Sequence, residues 1–216
     1  MRVILTGVTG MVGEGVLLEC LESAAVEKVL SVSRRATKHE HPKLEQLIVA
    51  DFRQLGAFEE KLSGYDACFY CAGISSAGMN EADYTVITYD TPLAFATTLA
   101  RLNPNMVLTH VTGSRTDSTE TGKTMWARVK GRAENALVKL PFKGVYNFRP
   151  ALMTPKKGQK HVKALFRVGL VLTPVLKLFF PALTLAQLGQ AMIRCATSGA
   201  PKQVLEVPDI AALAAS

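Results

Sequence analysis

Met1-Arg2-Val3-Ile4-Leu5-Thr6-Gly7-Val8-Thr9-Gly10-Met11-Val12-Gly13 opens the chain, and this stretch decides the fold. An apolar, β-favouring run leads into three glycines spaced three apart, and an amphipathic segment follows at once. That order suits a strand, a tight turn and a helix that together hold a phosphate group. Gly7 permits the turn, and Gly10 has no Cβ to keep a pyrophosphate from the backbone. Gly13 lets the helix pack close to the strand. Free N–H groups of the helix's first turn, at Met11 and Val12, then face the anion, with Thr9 in the turn beside them.

Beyond this unit, β-rich apolar runs alternate with helical patterns. The spacing predicts strands near 2–6, 28–33, 45–50, 66–71, 106–112 and 144–149, with a short late one near 203–207. Helices are expected near 11–23, 53–62, 80–102 and 122–140. Such alternation implies right-handed βαβ units and an α/β fold: a single doubly wound parallel sheet, Rossmann-like, with helices on both faces. The expected strand order is 3-2-1-4-5-6, with the ligand crevice at the carboxyl ends of the strands. No repeat or Pro/Ser-rich linker divides the chain, so residues 1–216 are read as one domain. Its part from about 151 to 200 is a small, helical, substrate-side cover.

Composition agrees. The chain has 216 residues, 48% hydrophobic and 20% charged, enough for a sizeable core in one soluble globular domain. No basic leader precedes an apolar run at the start. Cys68 and Cys71 lie on an apolar strand that turns them to opposite faces, so neither a dithiol nor a metal site is expected. Four reduced cysteines point to a cytoplasmic protein. The net charge of +7 raises the question of nucleic acid. Its basic clusters, Arg34, Arg35 and Lys38, then Lys156, Lys157, Lys160, Lys163 and Arg167, lack interleaved aromatic residues, and no nucleic acid is expected. A phosphorylated small ligand explains the first cluster, and a solvated helix face the second. Residues 164–182 are strongly apolar, but Arg167, Pro174 and Lys177 interrupt them before a bilayer could be crossed. Three readings stay open there: a helix pair over the substrate crevice, a subunit interface, or peripheral membrane contact. Monomer and homodimer are both compatible with the sequence.

The residues after the second strand select the cofactor. An acidic side chain there would bond the adenosine ribose hydroxyls and favour NAD. This chain has Ser33, Arg34 and Arg35 instead. No carboxylate repels a 2′-phosphate, and two guanidiniums offer it charge-assisted hydrogen bonds. NADP is therefore expected, with NAD as the second possibility; the competing reading is a pair of solvated loop arginines.

The pattern Thr6-Gly7-x-x-Gly10-x-x-Gly13 resembles the extended and atypical short-chain dehydrogenases/reductases, and the resemblance covers nearly the whole chain. It implies that Asp51 and Phe52, after the third strand, bracket the adenine. It further implies that Cys71, Ala72 and Gly73 form the small-residue turn against the cofactor. Phe148-Arg149-Pro150 is similar to the family's Arg-Pro near the nicotinamide end, which brings in Pro150. Leu188-Gly189-Gln190-Ala191-Met192 resembles a late helix of the family.

The resemblance also implies a Ser, Tyr and Lys chemistry, with Tyr and Lys one helical turn apart. The matching lysine is Lys130, which would bond the nicotinamide ribose, and Thr112 falls at the serine, with Ser114 as second choice. Trp126 stands where the tyrosine would be, and an indole N–H does not exchange a proton near neutral pH. His110 is open to two readings, substitute base or core histidine. Tyr84, Tyr89 and Asp117 are further candidates. His39 and His41 lack matching ligands, so no metal is expected. Two functions follow as expectations. One is an NADP(H)-dependent oxidoreductase or epimerase-like enzyme on a small carbonyl or alcohol. The other is an NADPH-sensing protein that acts through a protein partner.

Overall fold

The computed structural model describes residues 1–162 and 182–216. In chain order the strands are β1 (Arg2–Thr6), β2 (Lys28–Ser33), β3 (Leu44–Ile48), β4 (Ala67–Tyr70), β5 (Val107–Val111), β6 (Gly144–Arg149), β7 (Leu152–Thr154), β8 (Ala182–Thr184) and β9 (Val204–Glu206). The α-helices are α1 (Met11–Glu22), α2 (Glu59–Leu62), α3 (Glu81–Thr85), α4 (Thr91–Leu102), α5 (Met125–Leu137), α6 (Leu185–Ser198) and α7 (Val207–Ala215).

Seven strands form one sheet in the order β3-β2-β1-β4-β5-β6-β9, and every pairing in it is parallel. The expected 3-2-1-4-5-6 order holds, and the late strand joins it beside β6. Strands covered on both faces need apolar side chains on both. Ile4, Cys68 and Leu108 accordingly face one buried cluster with Phe95 and Leu99 of α4. Val3, Leu5 and Phe69 face the other, with Leu17 of α1, Met192 of α6 and Ile210 of α7. The edge strand β3 is mostly exposed.

Three helices differ from expectation for local reasons. The 53–62 segment is a 3-10 turn, Gly56–Phe58, leading into the short α2. The 122–140 segment narrows to Met125–Leu137. The 80–102 segment is helical throughout but contains a π turn at Val86–Asp90. Pro92 is the cause, because it has no N–H and its ring clashes with the carbonyl four residues back. The Thr91 hydroxyl donates to the Val86 carbonyl at 2.7 Å. At the start, the Asn80 side chain caps α3 by accepting from the Asp83 N–H at 2.9 Å.

Strands β7 and β8 form a small separate parallel ladder. Within the 151–200 stretch, α6 packs on α1. The apolar 164–182 stretch lies outside the described residues up to Ala182, which begins β8. Among the described residues, no helix is long and apolar enough to cross a membrane.

Close backbone contact sets the first turn. Gly7 has φ +76, and a Cβ there would stand 2.6 Å from the Cys71 carbonyl. A Cβ on Gly13 would press inside van der Waals distance of the Gly7 carbonyl oxygen. Gly13→Ala is thus expected to destabilise the protein by about 1–3 kcal/mol through overpacking. Urea unfolding monitored by circular dichroism checks this; an unchanged midpoint contradicts the close packing of α1 on β1.

Candidate functional site

At the carboxyl ends of β1 and β4, where the strand order reverses, lies a cavity of about 350 Å³. Its lining includes Gly7, Ser33, Arg34, Asp51, Phe52, Ala72 and Gly73. The Thr6 hydroxyl oxygen shapes its base by accepting from the Cys71 and Ala72 N–H groups, both at 3.1 Å. Gly10 begins α1 without a side-chain cap. It is exposed, and a Cβ there would meet nothing closer than the Gly7 carbonyl oxygen at 3.4 Å. The first-turn N–H groups of Met11 and Val12 therefore lie behind open space, the arrangement an anion needs. Thr9 is half-buried beside them.

At one end of the cavity, the Ser33 hydroxyl donates to the Arg35 carbonyl at 2.6 Å and bends the chain. Arg34 and Arg35 are both exposed, and only Arg34 lines the cavity. Neither is ion-paired among the described residues. Asp51 is paired through both carboxylate oxygens with Arg53, at 3.0 and 2.8 Å. The Arg53 guanidinium holds the Asp51 carboxyl well down, to about 2. Phe52 is buried and stacks on Phe95 with ring centres 5.1 Å apart. Ile74, Val86 and Ile87, exposed apolar side chains, line the same cavity. Together with Phe52 they give this cavity an apolar wall. Arg53, Tyr70, Ile74, Val86 and Ile87 were not anticipated; the last two are placed by the π turn.

The other predicted group gathers at the end of β5. Lys130 Nζ donates to the Thr112 carbonyl at 2.7 Å. Burial pushes the Lys130 ammonium pKa down, against the opposing charge of Glu134. The expected role of Thr112 needs correcting. Its hydroxyl donates to Glu134 Oε1 at 2.5 Å and leans on the Phe148 carbonyl at 3.2 Å. With one proton so directed, it is not presented to a substrate. Ser114 is held by its backbone N–H to the Pro150 carbonyl at 2.9 Å. Its own hydroxyl has no partner among the described residues.

Glu134 also takes both Nε contacts of Arg149, at 3.0 and 3.1 Å, and a further bond from Nη2. Arg149 continues to Ser118 Oγ at 2.6 Å and to Glu206 at 3.3 Å. This buried network ties α5 to β6 and β9. No spacing in the sequence signals it. Pro150 is buried next to these groups, its carbonyl accepting from the Ser114 N–H, and Cys71 is half-buried at the first turn, its N–H donating to Thr6. Trp126 lies with its ring 5.7 Å from Lys130 Nζ.

The other candidates are engaged elsewhere. His110 is buried between strands, with Nδ1 3.2 Å from Asn147 Oδ1 and its ring against Tyr70. This is the core-histidine reading. Tyr84 is buried, Tyr89 stacks under Arg132 at 4.2 Å, and Asp117 accepts from Thr119 and Gly122 within its loop. Among the described residues, no group of three His, Cys, Asp or Glu side chains is placed to hold a metal. His39 instead meets Glu14 at 2.7 Å.

Residues 3–125 match the family described as NAD dependent epimerase/dehydratase, and the chain belongs to that family. A curated relative, Protein FMP52, mitochondrial, from Meyerozyma guilliermondii, is 29% identical over 167 residues, covering 74% of this chain and 68% of that protein. Its mitochondrial name overturns the cytoplasmic expectation drawn from the cysteines. Among solved structures, the Bordetella bronchiseptica enzyme WbmF in complex with NAD+ aligns with a TM-score of 0.70 at 17% identity, covering 99% of this chain and 76% of that one. A short-chain dehydrogenase from Burkholderia cenocepacia in complex with NADP aligns at 0.66 and 13% identity, covering 100% and 92%. These neighbours share the Rossmann-like fold.

Burial drives the His110 pKa down to about 4, although Glu134 and Asn147 pull the other way. The unfolded imidazole takes its proton near the ordinary 6.5. The resulting stability is complete above pH 6.5 and is lost as pH falls from there towards 4, in total roughly 3 kcal/mol. Thermal midpoints between pH 7 and pH 4.5 should fall for the native protein and fall less for His110→Asn, whose amide replaces Nδ1–H. Parallel curves for the two proteins contradict a neutral buried imidazole.

Proposed function

We propose that this member of the family binds NADP(H) and carries out oxidoreductase or epimerase-type chemistry on a small carbonyl or alcohol. The carrying observation is Arg34, a guanidinium with no ion-pair partner among the described residues, in the wall of the cavity that begins at Gly7, with Ser33 where an acidic side chain would select NAD. Arg35 stands next to it. The donor set fits a dinucleotide: first-turn N–H groups at the exposed Gly10 for the diphosphate, an apolar slot at Phe52 and Ile87 for the base, and Asp51 beside the slot as an acceptor. A bound nicotinamide supplies a hydride acceptor or donor.

The chain's own residues orient and polarise. Lys130, fixed by the Thr112 carbonyl, offers its remaining N–H donors to ribose hydroxyls. Glu134 and Arg149 hold the end of β5 in place. The Ser114 hydroxyl, without a partner among the described residues, donates to a substrate oxygen, which stabilises charge developing there. Trp126 forms an apolar wall and moves no proton, so the acid or base differs from the tyrosine of related enzymes.

A second reading, an NADPH sensor acting through a protein partner, is favoured by Trp126. Incubation with NADPH and a panel of small carbonyls separates the two. Binding with oxidation above background supports the enzyme; tight binding without turnover supports the sensor.

Losing one charge-assisted phosphate contact is worth about 1.5–3 kcal/mol, so Arg34→Ala should weaken NADPH binding by roughly ten- to hundredfold and leave NADH unchanged. Gly10→Val should fold normally, because nothing crowds that Cβ, yet weaken both nucleotides. Calorimetric titration reads both variants. Equal losses for NADPH and NADH in Arg34→Ala count against the 2′-phosphate reading.

A further inference from the structure

Glu14 lies in the first turn of α1 with its side chain wholly buried, at 0% exposure. A carboxylate so placed is costly unless paired and hydrogen-bonded. Its donors come from two distant segments. The backbone N–H groups of Lys160 and His161 donate to its two oxygens, each at 2.7 Å. His39 Nε2 donates to Oε1 at 2.7 Å. Burial opposes the charge, and these donors together hold the carboxyl below its usual range.

The chain from 155 to 161 runs along α1 as a strap. Lys156 pairs with Glu19 and, at 2.8 Å, with Glu22. Gln159 Nε2 donates to the Met11 carbonyl at 2.7 Å. Lys160 Nζ then reaches the Lys38 carbonyl at 3.1 Å. The strap thus ends where α1 begins, beside the loop that carries Arg34 and Arg35. It starts at β7, one residue beyond Ala151 and the Arg149-Pro150 pair.

We propose that Glu14 is a positioning residue, a latch that fastens both the strap and the 34–39 loop to the first turn of α1. Ordering of the phosphate-binding loop and closure of the strap then reinforce each other. The inference rests on the nucleotide reading above for the coupling, and on geometry alone for the latch. Coupling is reciprocal: whatever closure of the strap does for NADPH affinity, NADPH does for closure. Glu14→Gln removes the charge and one acceptor oxygen, so one strap N–H loses its partner. His39→Ala removes only the loop's donor to Glu14, and His39→Gln restores a donor close to the Nε2 position.

Limited trypsin digestion of the native protein, which cuts at Lys156, Lys157 and Lys160, measures closure, and NADPH titration measures coupling. Without nucleotide, Glu14→Gln should be cut at these sites about tenfold faster than wild type, in line with loss of a hydrogen bond to a charged group. NADPH should slow cutting of wild type. Without nucleotide, His39→Ala should be cut faster than wild type but more slowly than Glu14→Gln, and it should lose the NADPH protection, which His39→Gln should regain. Hydrogen exchange on wild type needs no variant to fold: the Lys160 and His161 amides should be protected, and more so with NADPH. Unprotected amides, or strap cutting unchanged in a folded Glu14→Gln protein, overturn the latch. Full NADPH protection in His39→Ala overturns the coupling. Failure of wild type to bind either nucleotide refutes the functional reading and the coupling with it, whereas the nucleotide-free cutting rates still decide the latch.

Discussion

Two backbones meet at the first turn where no side chain is tolerated. The Gly7 carbonyl occupies the place a Gly13 side chain would take, and Gly7 itself lies against the backbone leaving β4. Thr6 seals that approach by accepting from the Cys71 and Ala72 N–H groups. The start of α1 is therefore held directly over the point where the strand order reverses from β1 to β4. Everything that makes the crevice follows from this contact. The free N–H groups, the gap at Gly10 and the nearness of Arg34 to Ala72 all need α1 to begin at that place.

Around this turn the chain spends buried charge rather than apolar surface. Glu14 and Glu134 are both buried carboxylates on helices flanking the crevice, and each is satisfied by groups far away in sequence. A buried ion pair is a weak source of net stability, because desolvation offsets most of its Coulombic gain. What it supplies is direction. Glu134 accepts from Thr112 and Arg149 at once and so fixes the ends of β5 and β6 relative to α5. Apolar packing of the same volume would leave those ends free to slide.

The sheet was legible because its signals are local. Continuous apolar runs such as Ala67–Tyr70 mark strands buried on both faces, and β1 to β6 appear in the expected order. The π turn was not legible, since helical periodicity says nothing about a Pro92 clash four residues back. For the site, Gly7 and Arg34 were read by position after their strands, and Asp51, Phe52, Ala72 and Gly73 through the family resemblance; all six line one cavity. Arg53 and Ile87 escaped notice because an exposed arginine and an apolar helical residue each carry a commoner meaning. The network of Glu134 and Arg149 joins residues fifteen apart in sequence and on different elements, a relation no periodicity reports. Glu14 was hidden for the same reason.

Thr112 shows where residue type and residue role part. Its position after β5 was read correctly, yet a hydroxyl has one proton, and a neighbouring carboxylate is a far better acceptor than a neutral substrate oxygen. Glu134, one turn beyond Lys130 on the same helix, claims that proton and at the same time opposes the desolvation of the Lys130 ammonium. The two residues matched to the catalytic pattern are thus bound into the scaffold, Thr112 by both its hydroxyl and its carbonyl and Lys130 by one of its three donors. Beside them lie the Trp126 indole, a Ser114 hydroxyl without a partner among the described residues, and a lysine with donors to spare. Such a set can bind and polarise, and neither the indole nor the serine hydroxyl exchanges a proton near neutral pH. The chemistry available at this end of β5 is thus shaped by Glu134 and Trp126 together rather than by the missing tyrosine alone.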